Sequence, residues 1–150
     1  FFEIDGEFAY PRGHFYGATD RVETISFDLF PRGRKLLSGF VGGAFAVELE
    51  KGGPAAAEAE ARRQIGAMLG ADANKRLRFM RTTAWRSDPF AQGGYSSALP
   101  GHAGDRAILA APVNGRLFFA GEACSEIYFS TTHGAWETGM KAAEEYLGGR

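Results

Sequence analysis

The 150-residue chain is long enough to bury one hydrophobic core, and a single compact domain is the starting expectation. Its formal net charge of -1, from 17 Lys and Arg against 18 Asp and Glu, argues against a nucleic acid held through its phosphates, which would want a basic stripe. No apolar run approaches the roughly 20 residues that span a bilayer, so a soluble segment with no membrane partner is expected.

The start, FFEIDGEF, has no initiator Met, no basic n-region and no apolar h-region, so no signal peptide is visible and the chain reads as a piece of something longer. Phe1 to Tyr10 alternates loosely and suits a strand, whereas Arg12 to Asp20 is rich in turn formers. Val22 to Phe30 places Val22, Thr24, Ser26 and Asp28 on one face and Ile25, Phe27 and Leu29 on the other, the pattern of a half-buried strand. Pro31 and Gly33 supply a turn, and Lys35 to Val41 reads as the antiparallel partner. The basic cluster Arg32, Arg34 and Lys35 is expected to be a solvated turn.

Gly42-Gly43 precede a segment suited to two helical turns. Pro54 then suits the first position of a helix running to about Leu69, with Ala61, Ile65, Met68 and Leu69 buried, Glu58 and Arg62 paired on the wet side, and Gly70 as the stop. Lys75 to Trp85 alternates enough for a strand. Between Ser87 and Gly104 the composition turns to Pro, Gly, Ser and aromatic residues, and an ordered, functional loop is expected. Asp105 to Ala111 suits a helical turn, and 116–120 a buried strand.

The last helix is expected from about 131 to 147. Trp136, Met140, Ala143 and Leu147 make its apolar stripe, Gly134, Ala135, Gly139 and Ala142 a small-residue face beside it, and Gly148 and Gly149 its end.

Two features of this last stretch carry chemistry. Gly121-Glu122 follows a predicted strand, the place where open α/β sheets meet ligands: a glycine lets backbone approach a pyrophosphate, and a carboxylate accepts hydrogen bonds from sugar or ribityl hydroxyls. The same pattern also suits an ordinary core strand with a surface Glu. Ser130-Thr131-Thr132-His133-Gly134 opens the helix, offering N–H groups and a positive dipole end to an electron-rich group, although Ser130 or Thr131 is equally suited to be a simple N-cap.

These residues resemble a known family. Phe118-Phe119-Ala120-Gly121-Glu122, followed after a variable loop by Thr131-Thr132-His133-Gly134-Ala135-Trp136-Glu137-Thr138-Gly139 and Ala142-Ala143, is similar to the C-terminal end of the flavin-containing amine oxidases. That family includes monoamine and polyamine oxidases, L-amino-acid oxidases and flavin lysine demethylases. Trp85-Arg86-Ser87-Asp88-Pro89-Phe90-Ala91-Gln92-Gly93-Gly94-Tyr95-Ser96 resembles a second family motif, and Phe40-Val41-Gly42-Gly43 with Ala46 a third, so the likeness runs from about Leu36 onward.

The resemblance implies an FAD-dependent amine oxidase acting on a small amine. Gly121 and Glu122 would lie along the FAD pyrophosphate and ribityl chain, and the backbone at Thr131 and Thr132 would reach the pyrimidine side of the flavin. Trp85 would pack near the isoalloxazine, and Tyr95 would form one wall of the amine pocket; ordinary aromatic packing is the alternative for both. Tyr95 and Thr131 are thus the catalytic candidates, and Trp85, Gly121, Glu122, Thr131 and Thr132 the cofactor-binding ones. Hydride would pass to flavin N5, oxygen would reoxidise the flavin to give peroxide, and the imine would hydrolyse.

In fold terms the resemblance implies an α/β to α+β chain. Residues 1–110 would be part of a substrate-binding domain with a mixed sheet, and 111–150 a strand and helix completing an FAD-binding domain. Thr131 stands where monoamine oxidases carry a second cage tyrosine, which brings the chain nearer the threonine-bearing members, including the demethylases. No GxGxxG fingerprint and no lysine in the flavin N5 context are present; the resemblance assigns both to a missing N-terminal portion, so that half a cofactor site remains and the isolated piece is expected to be inactive.

A truncated, non-catalytic interaction module is the alternative reading. A metal site built from His102, Cys124 and His133 is not expected, because their spacing is irregular. Cys124 is expected to be a spectator thiol and is compatible with a reducing compartment; a cytoplasmic location is expected. Apolar surface left uncovered would favour self-association.

Overall fold

The alternation that separates Ile25, Phe27 and Leu29 from Ser26 and Asp28 organises the first half of the molecule. In the computed structural model, which describes residues 1–148, the three apolar side chains are buried with Phe2, Ile4, Leu37 and Leu77 on one face of a five-stranded sheet. Its strands are β1 (Phe2–Ile4), β2 (Gly13–Tyr16), β3 (Ser26–Leu29), β4 (Leu36–Phe40) and β5 (Leu77–Phe79), in the spatial order β2-β3-β4-β1-β5.

Every neighbouring pair is antiparallel, which corrects the expectation of a mixed sheet. The 3-10 turn Pro31–Gly33 returns β4 directly against β3. β4 and β5 do run parallel to one another, but β1 lies between them, antiparallel to both, so no parallel ladder forms. Strand β2 falls in the turn-rich stretch Arg12 to Asp20. It is recruited because Phe15 stands opposite Phe27 and stacks on it, with ring centroids 5.1 Å apart. Opposite Phe27 on the other side is Gly39, where a Cβ would lie 2.9 Å from Ile25 Cγ2 and 3.3 Å from the Phe27 ring.

Helix α1 (Gly43–Leu69) covers this face, and it is two helices in one. Gly53, at φ 76 and ψ -175, interrupts it, and Pro54 opens the second half as its fixed φ favours. Ala61 and Ile65 enter the core as expected, but Met68 is exposed, and Gln64 takes the place beside them, 1% exposed. The Gln64 amide is buried without penalty because its Oε1 accepts from the Ile25 N–H at 2.9 Å, while its Nε2 donates to the Glu23 carbonyl at 3.0 Å and to Glu60 at 2.7 Å. Arg62 pairs with Glu58 at 2.8 Å but is not a purely wet residue. It also donates to the carbonyls of Asn74 and Leu77, tying α1 to helix α2 (Ala71–Lys75) and to β5.

By its internal contacts the chain divides into two compact units, Phe1–Pro89 and Phe90–Arg150. The second unit contains helix α3 (Asp105–Ala110), a 3-10 turn Glu122–Cys124, and helix α4 (Thr132–Gly148), with α3 and α4 both packed on the turn. The strand expected at 116–120 is not formed. Asn114 and Gly115, both at positive φ, fold the segment back on itself, leaving only a bridge between Val113 and Leu117, and no strand of this unit lies alongside it among the described residues.

On α4 the small-residue face packs: Gly134 is buried and Ala135, Thr138, Gly139 and Ala142 are half-buried. The larger stripe is open within this unit, with Trp136 71% exposed. Gly149, expected to help end this helix, lies outside the described residues.

Replacing Gln64 by Leu should strand the Ile25 N–H and the Glu23 carbonyl. An unfolding free energy lower by about 2 kcal/mol is expected, read as a lower urea midpoint at unchanged slope.

Candidate functional site

A carboxylate drawn partly out of water needs donors, and Glu122 finds three within its own unit. Its Oε1 accepts from the Ser96 N–H at 2.6 Å, and its Oε2 accepts from the Ser96 hydroxyl at 2.7 Å and the Ser130 N–H at 2.6 Å. The Ser130 hydroxyl donates back to the Ser96 carbonyl at 3.0 Å. The long loop, the 3-10 turn and the approach to α4 are thereby knotted around one side chain.

Beneath the knot lies Arg106, 7% exposed. Its Nη1 donates to the Ser96 hydroxyl oxygen at 2.8 Å and to the Ala123 carbonyl at 3.0 Å, and its guanidinium lies 4.5 Å from the centroid of the Phe129 ring. Partial burial works to raise the Glu122 pKa. The hydrogen bonds from Ser96 and Ser130, with the Arg106 charge, outweigh it and hold the carboxyl below its ordinary value. Burial, and secondly the Glu122 charge, push the Cys124 thiol up, so at neutral pH it is protonated and poorly nucleophilic.

Gly121 leads into the knot at φ 142, a conformation that side chains rarely adopt, and a Cβ there would meet no heavy atom within 4 Å. Its N–H donates to Thr138 Oγ1 at 3.0 Å, and that hydroxyl lies 2.9 Å from the Gly121 carbonyl oxygen, so α4 holds the peptide from one side. Gly134 is required for a different reason: a Cβ there would overlap the Tyr128 carbonyl.

Thr131 is the N-cap of α4. Its Oγ1 accepts from the Gly134 N–H at 3.1 Å and donates to the Tyr128 carbonyl at 2.6 Å, while its own carbonyl receives the first intrahelical bond, from Ala135. Thr132 and His133 occupy the first turn, ahead of that bond, where helix N–H groups point outward.

Gly121, Glu122, Thr131 and Thr132 therefore come together in the second unit, around the 3-10 turn and the start of α4. Tyr95, next to Ser96 in the chain, is 56% exposed. Trp85 belongs to the first unit and is 53% exposed at the start of a turn. That turn is fixed by Glu50, from the first half of α1, whose carboxylate accepts from the Arg86 N–H at 3.1 Å, the Ser87 N–H at 3.0 Å and the Ser87 hydroxyl at 2.9 Å.

Sequence reasoning passed over Glu50, Arg106 and Thr138. Glu50 reads as an ordinary helix-surface acid. Arg106 left one signal, a single cation directly ahead of the apolar run Ala107-Ile108-Leu109-Ala110. His102 is engaged by Asp105 at 2.8 Å, and His133 lies against Tyr128.

Residues 12–147 match the model of the family described as flavin containing amine oxidoreductase, and the chain belongs to that family. It is 39% identical over 121 residues to lysine-specific histone demethylase 1 homolog 2 of Oryza sativa subsp. japonica, a match covering 77% of this chain and 16% of the rice protein. It is 37% identical over 114 residues to polyamine oxidase 4 of the same plant, covering 75% of this chain and 23% of that protein. Against Protein FLOWERING LOCUS D of Arabidopsis thaliana, identity reaches 51% over 63 residues, 41% of this chain and 8% of the relative. The chain thus spans less than a quarter of the length of these relatives. The family is flavin-containing, consistent with FAD as cofactor.

Because its folded-state pKa is lowered, Glu122 contributes stability that is present above its ordinary carboxylate pKa and lost as pH falls through the folded value. Glu122→Gln should therefore destabilise by about 1–3 kcal/mol at pH 7, with the gap to the parent closing on acidification in thermal melts followed by circular dichroism. Gly134→Ala should cost a comparable or larger amount, about 1–3 kcal/mol or more, at any pH, because the clash with the Tyr128 carbonyl does not titrate.

Proposed function

We propose that this chain supplies part of the flavin site of an FAD-dependent amine oxidase that deaminates a primary or secondary amine, the remaining cofactor contacts coming from polypeptide outside this segment. The observation that carries the reading is the open backbone at Gly121 beside the pre-organised Glu122 carboxylate at the start of α4. The fit is chemical: an acceptor for sugar or ribityl hydroxyls, a backbone with room for phosphate or ribityl atoms, and helix N–H groups for an electron-rich ring edge all lie in one unit.

In this reading Glu122 accepts a hydroxyl of the FAD, and Gly121 gives the cofactor chain room to pass close to the backbone. Thr131 and Thr132 present the start of α4 to the pyrimidine edge of the flavin, where the helix dipole favours negative charge. Tyr95 forms a wall of the amine pocket and Trp85 packs against the isoalloxazine. Such apolar walls favour the neutral amine, the form that can lose hydride, over the ammonium ion. The flavin, when bound, supplies the hydride acceptor for the carbon beside the amine nitrogen, with molecular oxygen as final oxidant. A cytoplasmic location belongs to the same proposal.

The full-length protein should purify with the visible absorbance of oxidised flavin, and Glu122→Ala should lower its flavin content. Full-length protein that takes up no flavin from excess FAD would refute the assignment. Residues 1–150 alone should release no peroxide with a panel of amines.

A further inference from the structure

Among the described residues, Arg106 is the one buried cation of the second unit, and neither the sequence motifs nor the family likeness gives it a task. Arginine has five donors and no acceptor, and it stays charged throughout the accessible pH range. Its Nη1 donates to the Ser96 hydroxyl oxygen at 2.8 Å, so that hydroxyl must turn its own proton elsewhere. The acceptor it finds is Glu122 Oε2, at 2.7 Å. The result is a polarised chain running from guanidinium to hydroxyl to carboxylate, each link oriented by the one before it.

Two further contacts keep the start of this chain fixed. The same Nη1 holds the Ala123 carbonyl at 3.0 Å, in the turn that carries Glu122, and the guanidinium plane is backed by the Phe129 ring. Arg106 thus touches residues on both sides of the carboxylate without pairing with it directly. A direct bidentate pair would use up the carboxylate oxygens. Acting through Ser96, the cation leaves acceptor capacity on Glu122, since an ionised carboxylate has about four lone-pair positions and three are taken.

We propose that Arg106 is the positioning residue of this site: through the Ser96 hydroxyl it fixes the Glu122 carboxylate as an acceptor for a sugar-type hydroxyl of the cofactor. The identity of the ligand rests on the flavin reading above; the coupling of Arg106 to Glu122 does not. Other ionisable groups sit around the turn. Cys124 is on the turn itself, and Lys141 and Glu145 of α4, 3.9 Å apart, line a small cavity with Cys124. Asp105, beside Arg106 in the chain, is engaged by His102. Arg106 is the cation in the chain of hydrogen bonds that ends on Glu122.

The test follows the Glu122 carboxyl by carbon-13 NMR in the full-length protein, assigned with Glu122→Gln, together with FAD affinity of the apoprotein as a function of pH. Arg106→Met and Ser96→Ala should both move the Glu122 titration towards its ordinary carboxylate range, and Arg106→Lys should restore much of the parent behaviour. FAD affinity should fall about tenfold in Arg106→Met, with its acid limb moved to higher pH.

Should Arg106→Met fail to fold, Ser96→Ala carries the same test, because the backbone N–H of residue 96 still serves Glu122. An unchanged Glu122 titration in folded Ser96→Ala, or in folded Arg106→Met, overturns the proposal whether or not flavin binds. A shifted titration in a protein that binds no FAD upholds the coupling and refutes the flavin reading instead.

Discussion

Partial withdrawal of the Glu122 carboxylate from water is the constraint around which the second unit is arranged. With no strand among its described residues, this unit has little regular structure to set the loops between its helices, and a charged group that must be given donors does that work. Ser96 is brought to the turn by two of its own groups, Ser130 enters α4 with its N–H committed, and Arg106 is buried because it has the Ser96 hydroxyl, the Ala123 carbonyl and the Phe129 ring to satisfy it. The geometry that makes the site usable for a polar ligand is the same geometry that holds the loop in place. Under the proposed flavin reading, function and local stability share residues here, and substitutions at either end of the network report on both.

The first unit rests on a different principle. Its sheet is ordered by apolar alternation and by a few fitted contacts, such as Phe15 on Phe27 and the space left by Gly39. Gln64 shows how a polar residue enters such a core when its amide is assigned: one accepted and one donated bond cross the gap between α1 and the segment before β3, and a second donated bond goes to Glu60 on α1 itself. Within this unit Glu50 shapes the turn bearing Trp85 by binding two backbone N–H groups, much as Glu122 shapes its own surroundings in the other. In both units a carboxylate that grips backbone sits beside the motif that the family likeness brings out.

What was legible in the sequence follows from how local each signal is. The β3–β4 hairpin was readable because alternation and the Pro31, Gly33 turn lie within a few residues of each other. The second half of α1 was readable because Pro54 and Gly70 bracket it. Strand β2 was not, since what holds it, the Phe15–Phe27 stack and the hydrogen bond of His14 with Ser26, lies in a neighbouring strand rather than in its own stretch. The strand expected at 116–120 failed through a missed local signal: Asn114-Gly115 is a strong tight-turn pair, and it folds the segment before any strand can extend. Met68 and Gln64 exchanged roles because helical periodicity fixes a face only to within a residue, and the partner surface decides the remainder. At the site, Gly121, Glu122 and Thr131 were visible through motif spacing, whereas Arg106 and Glu50 act across gaps in sequence that no single-chain pattern encodes.

The interruption at Gly53 has a geometric meaning beyond ending one helix and starting another. At about 100° per residue, an unbroken helix would place Glu50 only about 60° around the axis from Ile65, close to the face that is sealed against the sheet. The break removes that phase relation, so residues 43–52 can rest Phe45 against the core with a helical phase different from that of 54–69. One element can then satisfy two demands that a single continuous helix would set against each other: an apolar stripe turned to the sheet, and an acid turned to the backbone of Arg86 and Ser87. Inserting a residue between Glu50 and Gly53 would turn the acid relative to the backbone of Arg86 and Ser87 while Ala61 and Ile65 keep their place on the sheet, and it would also shift Phe45, by which the first half of α1 packs against the core.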